Sequence, residues 1–91
     1  MSTEKPYNIE LSDRAKTIFA KLDKTIRHQV QERLEWLAAN VDEMRHLALK
    51  GEWRGYYKLR AGDYRIIYWI DRGERLIVVE LIGNRRDVYD E

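Results

Sequence analysis

The stretch Tyr57–Asp71, with the sequence YKLRAGDYRIIYWID, decides the fold because its side chains alternate between two faces around one central turn. We predict a strand from Trp53 to Arg60, a tight turn at Ala61-Gly62-Asp63 and a second strand from Tyr64 to Asp71. Two adjacent strands joined by so short a turn must pair as an antiparallel hairpin.

Apolar and polar side chains continue to alternate after this hairpin, whereas the apolar residues before it recur with the period of a helix. The sequence Asp71-Arg72-Gly73-Glu74 predicts another turn, and Arg75 to Gly83 predicts a third strand rich in Leu, Ile and Val. Upstream, the pattern predicts a short strand at Tyr7–Leu11, a helix capped by Ser12 or Asp13, and a second helix at about Lys24–Asn40 capped by Asp23.

The predicted fold class is therefore α+β, in the order β-α-α-β-β-β. Two amphipathic helices form a hairpin on one face of a mainly antiparallel sheet. A chain of 91 residues is too short for two cores, so residues 1–91 are expected to form one domain.

The strand residues indicate which face of the sheet the helices cover. An arginine is costly to bury without a partner, so the face with Arg65 is expected to be open and the face with Ile66 to meet the helices. By the same reasoning Glu80 should lie on the open face as a neighbour of Arg65, and Ile77, Val79 and Leu81 should point inward. Trp36 lies off the apolar face of the second helix. We expect it to pack near Trp53, with an exposed contact to a partner protein as the alternative.

Composition excludes several classes of protein. There is no cysteine, and the two histidines match no metal-ligand spacing, so we expect no disulfide, metal or cofactor. The N-terminus lacks a signal-peptide pattern, and the longest apolar run, Leu76 to Val79, is too short to cross a bilayer. A cytoplasmic location without membrane association is the expectation.

Positive charge is concentrated in the second half of the chain. Residues 44–86 contain ten Lys and Arg against five Asp and Glu, although the net charge of the whole chain is only +1. Such an excess fits an anionic partner such as nucleic acid, and it also fits an ordinary solvated surface.

The predicted sheet can bring its basic residues together with one aromatic ring: Lys58, Arg60, Arg65, Arg85 and Tyr89. This set contains no paired carboxylates, no Ser/His or Cys/His arrangement and no phosphate-binding glycine loop. It can nevertheless bind a phosphodiester and stabilise the added charge of its transition state, because arginine holds phosphate oxygens with two parallel hydrogen bonds. RNA supplies its own nucleophile, the 2′-hydroxyl.

Two segments, Tyr57–Tyr68 and the later Ile82–Tyr89 with its Arg-Arg-Asp-Val-Tyr ending, resemble the RelE/ParE superfamily of toxins from type II toxin–antitoxin systems, most closely the RelE branch. The resemblance implies a metal-independent endoribonuclease that cleaves messenger RNA in the ribosomal A site. It also implies a cognate antitoxin that binds the toxin in a hetero-oligomer.

The resemblance also implies roles for individual residues. Arg65 would stabilise the transition state, Arg85 would bind phosphate and protonate the leaving group, Lys58 would act as base or phosphate ligand, and Tyr89 would stack on a nucleotide. The expected substrate-binding surface is completed by Arg60, Arg86 and Tyr56. Some relatives have a lysine where this chain has Tyr56, and many have His or Lys where it has Asn84, so the identity of the general base stays open. His46, just before the meander, is a further candidate for catalysis.

Two alternatives share the fold. The ParE branch inhibits DNA gyrase and generally lacks a complete basic and aromatic set, and an inert relative would only bind its antitoxin. The presence of Lys58, Arg65, Arg85 and Tyr89 favours the nuclease.

Overall fold

The computed structural model describes residues 6–84. Its elements, in chain order, are strand β1 (Asn8–Leu11), helix α1 (Asp13–Lys21), helix α2 (Lys24–Asn40), strand β2 (Leu47–Ala48), a single 3-10 turn (Gly51–Trp53), and strands β3 (Tyr57–Ala61), β4 (Tyr64–Asp71) and β5 (Leu76–Asn84). The predicted elements are all present. The strand predicted to begin at Trp53 begins only at Tyr57, because Trp53 belongs to the 3-10 turn that precedes it. The sequence missed this turn and also β2, whose two residues are too few for alternation to be visible.

The strands form one five-stranded sheet in the order β1-β5-β4-β3-β2. Strand β1 is parallel to β5, and the other neighbouring pairs are antiparallel. The two helices pack on one face of this sheet, so the predicted α+β class is confirmed. The hairpin turn carries a positive φ at Gly62 (+61°), its first central residue, which suits a two-residue turn of the II′ type.

Helix α1 begins at the predicted serine cap. Ser12 Oγ accepts a hydrogen bond from the Ala15 backbone N–H at 3.0 Å and donates one to the Glu80 carbonyl oxygen at 2.8 Å. The same hydroxyl therefore caps the helix and fastens it to β5. Asp23 occupies the corresponding position before α2, but its side chain makes no capping hydrogen bond.

The main core lies between the helices and the sheet. The apolar residues that recur with helical periodicity along α2 are buried at Val30, Leu34 and Leu37, and Val41 follows them into the core. From the sheet, the buried side chains that meet the helices are Leu59, Ala61, Ile66, Tyr68, Ile77, Val79 and Ile82. The orientation predicted for Ile66, Ile77 and Val79 is thus confirmed.

A β-bulge changes the orientation of the last part of β5. Ile67 is opposite Leu81, while the next residue, Tyr68, is opposite Val79, so Glu80 is an extra residue in β5. Beyond it, Ile82 points into the main core and Leu81 packs on the other face. The prediction that Leu81 faces inward is therefore wrong, because strict alternation does not survive an inserted residue.

The face of the sheet away from the helices is also partly covered. Ile67 is completely buried there, in a second small cluster with Leu49, Trp53, Tyr56 and Leu81. Arg65 is only 7% exposed. The prediction that the Arg65 face is open is wrong, because the segment between β2 and β3 folds over this side of the sheet.

Candidate nucleic-acid interface

Three of the predicted site cations lie on the sheet face opposite the helices. In the β3–β4 ladder Arg60 is directly opposite Arg65, and Lys58 is directly opposite Ile67. Residues opposite each other in an antiparallel pair project from the same face, with Cβ atoms about 5 Å apart. Lys58, Arg60 and Arg65 therefore share what we call the basic face.

The three cations differ in exposure. Arg60 is exposed, Lys58 is half-buried and Arg65 is buried at 7% exposure. Arginine keeps its charge when it is buried, so Arg65 places a positive charge in a region of lowered dielectric. A charge held in such a place acts on a bound anion more strongly than one on a solvated side chain.

Aromatic side chains form the floor beside these cations. The rings of Trp53 and Tyr56 meet edge to face, with centroids 5.2 Å apart and an interplanar angle of 88°. Both pack against the buried pair Leu49 and Ile67. Tyr56, predicted to bind substrate, is therefore half-buried in this cluster, and its role toward substrate stays a prediction.

Arg14 is a cation near this face that the sequence reasoning missed. Its Nη2 lies 3.5 Å from Glu80 Oε2, and its guanidinium carbon is 5.9 Å from the centre of the Trp53 ring. The expected pairing of Glu80 with Arg65 is wrong, because Arg65 is opposite Gly83 and Glu80 is the bulge residue. No spacing in the sequence signals Arg14, since only the packing of α1 against β5 brings it there.

His46 lies on the helix side, away from the basic face. Its Nε2 is 2.8 Å from the Val41 carbonyl oxygen and its Nδ1 is 2.6 Å from the Tyr68 hydroxyl. A carbonyl only accepts, so in the neutral ring Nε2–H donates to Val41 and Nδ1 accepts from Tyr68. Both ring nitrogens are thus engaged in fastening the loop after α2 to β4, which favours a structural role over catalysis.

Removing the Tyr68 hydroxyl is expected to weaken the fold and change its response to alkali. Tyr68→Phe leaves His46 Nδ1 without its donor, which should lower the free energy of unfolding by about 1 kcal/mol at neutral pH. Burial, and to a smaller degree the neighbouring Tyr57, raises the pKa of the Tyr68 hydroxyl above its ordinary value.

Because this pKa is raised in the folded state, the contribution of Tyr68 to the free energy of unfolding is complete below about pH 10 and is lost as pH rises further. Urea unfolding at pH 7 and at a series of pH values above about 10 should show a steeper loss for the parent than for Tyr68→Phe. Tyr57→Phe, which keeps the Tyr68–His46 contact, is the control. If the free energy of unfolding fell equally with pH for the parent and for Tyr68→Phe, this explanation would be contradicted.

The remaining predicted site residues, Arg85, Arg86 and Tyr89, lie outside the described residues. Strand β5 ends at Asn84, which is opposite Tyr64 in the ladder. The last described residue of β5 therefore lies close to Arg65, which is one residue along β4 from Tyr64. A cavity of about 370 Å³ lies at this end, lined in part by Ile18, Leu22, Tyr64 and Ile82.

Two further features, a metal site and a membrane-spanning helix, are absent from the part of the chain that the structure describes. Within residues 6–84, no three His, Asp or Glu side chains come together as a metal site. No helix there has the length and apolar character needed to cross a membrane.

The architecture and the sequence both agree with one family. The family of ParE toxins of type II toxin–antitoxin systems matches residues 9–89. Because the match spans most of the sequence, the chain belongs to this family of toxins. Among curated proteins none matches the chain.

Several solved structures share the fold of this chain. The RelBE2 toxin–antitoxin complex of Mycobacterium tuberculosis contains a chain that is 26% identical, with a TM-score of 0.78, covering 89% of this chain and 100% of that one. The isolated RelE toxin of E. coli is 25% identical, with a TM-score of 0.70, covering 86% of this chain and 83% of that one. The archaeal RelE–RelB complex of Pyrococcus horikoshii OT3 contains a chain that shares the fold at 21% identity. Its TM-score is 0.71, and the match covers 92% of this chain and 100% of that one. The protein is thus a type II toxin with the fold shared by RelE and ParE toxins.

Proposed function

We propose that this toxin is an endoribonuclease that cleaves messenger RNA in the ribosomal A site and so arrests translation in the cytoplasm. The observation that carries the proposal is the basic face, where Arg65 is buried beside exposed Arg60 and half-buried Lys58. A buried arginine holds its charge where water screens it little, so it acts strongly on a phosphoryl group bound beside it. A buried, fixed charge is what stabilisation of a transition state requires.

The chemistry follows from what these groups can do to RNA. The 2′-oxygen attacks the adjacent phosphorus, its proton passes to a base, the P–O5′ bond breaks, and the 5′-oxygen receives a proton. Arg65 stabilises the charge that develops on the phosphoryl oxygens, and Lys58 binds the phosphate or accepts the proton. Arg85 is assigned to phosphate binding and protonation of the leaving oxygen, and Tyr89 to stacking on a base. The substrate-binding surface is completed by Arg60, Arg86 and Tyr56.

No step of the proposed reaction uses a metal or an organic cofactor. Arginine and lysine supply the positive charge that a divalent cation supplies in other nucleases. The nucleophile belongs to the substrate. What the protein contributes is alignment of the 2′-oxygen, the phosphorus and the leaving oxygen together with fixed charge around them.

A cognate antitoxin is the second proposed partner. The similar toxins from M. tuberculosis and P. horikoshii were solved as complexes with their antitoxins. In this chain the cavity beside Ile18, Leu22 and Ile82 is apolar on one side and adjoins the basic-face side of the sheet through Leu81. An amphipathic helix in this cavity, with acidic residues toward the basic face, would bind the toxin and exclude RNA.

Primer extension on cellular messenger RNA after induction of the toxin tests the proposed reaction. We expect new 5′ ends within translated codons soon after induction, and none in untranslated transcripts, because the A site presents only codons being read. Cells that express the cognate antitoxin together with the toxin are the control. Arrested growth with intact messenger RNA would overturn the nuclease.

Inhibition of DNA gyrase is the second candidate, because the matching family is described as that of ParE toxins. A supercoiling assay with purified toxin separates the two functions. Loss of the supercoiling activity of gyrase, with messenger RNA intact, would establish that the toxin inhibits gyrase. The basic face favours RNA, since binding of a protein target does not require a buried arginine.

A further inference from the structure

A tryptophan and an arginine on α2 form an exposed pair that the proposed catalytic groups do not use. Trp36 is 42% exposed, although tryptophan is on average a highly buried residue. The guanidinium carbon of Arg33 lies 4.5 Å from the centre of the Trp36 ring, which is a cation–π contact. The prediction that Trp36 packs near Trp53 is wrong, because Trp53 belongs to the cluster on the opposite face of the sheet.

The position of Arg33 is fixed by the edge of the sheet. Its Nε donates to the Arg60 carbonyl oxygen at 3.0 Å. Strand β2 pairs only with Tyr57 and Lys58, so no strand within residues 6–84 covers the edge of β3 at Arg60. Arg33 therefore reaches from the helix layer to the edge of the strand whose Arg60 side chain projects from the basic face.

A cavity of about 330 Å³ lies between α2 and the β3–β4 turn, lined by Gln29, Glu32, Arg33, Trp36, Ala61 and Gly62. Gly62 allows the two elements to approach closely, since a Cβ there would stand 3.0 Å from Gln29 Oε1. The wall therefore consists of an indole ring, a guanidinium, a carboxylate and an amide. These groups stack on a base, bind a phosphate and form hydrogen bonds to base edges.

We propose that Arg33 and Trp36 form an accessory subsite for a single-stranded nucleotide, outside the reacting phosphodiester, on the same RNA-binding surface as the basic face. Trp36 stacks on a base, and the Nη groups of Arg33 bind the neighbouring phosphate. Among residues 6–84, Arg33 engages only its Nε in a hydrogen bond, so both Nη groups remain for a ligand. The inference rests on the proposed RNA-directed function.

Continuity with the basic face favours RNA over a protein occupant. Arg60 links the two surfaces, because its carbonyl oxygen anchors Arg33 and its side chain belongs to the basic face. The carboxylate of Glu32 is 3.1 Å from His28 Nε2, and it suits the amino group of a base rather than a phosphate. The phosphate is therefore assigned to the Arg33 side of the cavity.

Fluorescence anisotropy with a labelled single-stranded RNA of about ten nucleotides tests the subsite at several salt concentrations. Trp36→Ala should weaken binding about fivefold or more, as expected for loss of one base stack, and Trp36→Phe should restore part of the affinity. Arg33→Gln should reduce the slope of log K against log salt by about 0.7, the value for one phosphate contact on a single strand. Lys24→Gln is the control expected to retain the parent affinity and slope, because this exposed residue of α2 lies roughly 13 Å from Arg33 along the helix axis.

A second readout reports the stacking itself. In a variant with Trp53→Phe and Trp69→Phe, the only remaining indole is Trp36, and its fluorescence should be quenched by RNA with the same midpoint as the anisotropy change. Cleavage of messenger RNA on programmed ribosomes should show a raised KM and an unchanged kcat for Trp36→Ala, because the ring does not touch the reacting atoms.

The outcomes separate this inference from the proposed function. If the parent cleaves and binds RNA while Trp36→Ala and Arg33→Gln bind it equally well, the subsite is refuted and the nuclease stands. If both variants instead lose affinity only for the antitoxin, the pair belongs to a protein interface and the inference is wrong. If the parent neither binds nor cleaves RNA, the proposed function and the subsite fall together.

Discussion

Arg65→Lys is expected to lower the rate of messenger RNA cleavage by about 100-fold or more, which corresponds to the loss of one preorganised contact to the transition state. Lysine keeps the positive charge but lacks the planar fork that binds two phosphate oxygens at once. Arg60→Lys is the matched control. It makes the same chemical change at the residue directly opposite, where the side chain is exposed, and should cost less than tenfold.

The measurement is single-turnover cleavage on programmed ribosomes, together with thermal unfolding of each variant. Lysine is chosen over alanine because Arg65 is buried, so removal of the whole side chain would also leave a cavity. A cleavage rate for Arg65→Lys equal to that of the parent would remove Arg65 from the proposed mechanism. If Arg65→Lys is slow but also largely unfolded, the cleavage rate of Arg65→Gln is used instead. Its folded fraction is measured in the same buffer.

Ile67→Ala is expected to lower the free energy of unfolding by about 2–5 kcal/mol and also to impair cleavage. Ile67 is completely buried on the basic-face side, where it supports Leu49, Trp53 and Tyr56 and is opposite Lys58. Total stabilities of small domains are about 5–15 kcal/mol, so the loss is a large share of the total. The second cluster thus connects the stability of the fold with the geometry of the candidate site.

Ile66→Ala is the matched control for this prediction. Ile66 is the preceding residue, is equally buried, and points into the helix-side core. Both variants should unfold at lower urea concentration. At a temperature where both remain folded, only Ile67→Ala should lose cleavage activity relative to the parent. Equal activities of the two variants would show that the second cluster does not position the basic face.

The sequence by itself determined the order of the main elements and the assignment of side chains to faces in most of them. Alternation in residues 64–71 placed Ile66 and Tyr68 toward the helices, and helical periodicity placed Val30, Leu34 and Leu37 in the core. These predictions hold because burial of apolar area is a local requirement that each strand or helix expresses in its own period. The grouping of Lys58, Arg60 and Arg65 on one face followed from the same alternation and a short turn.

Only the tertiary structure decided what covers each face and which distant residues meet. The burial of Arg65, the reversal of Leu81 after the bulge at Glu80, and the approach of Arg14 to Trp53 depend on contacts between segments far apart in the chain. The contact of Arg33 with the Arg60 carbonyl likewise joins residues 27 positions apart. No periodicity encodes such contacts, because they arise from the shape that packed elements leave at a sheet edge, and that shape exists only once the chain has folded.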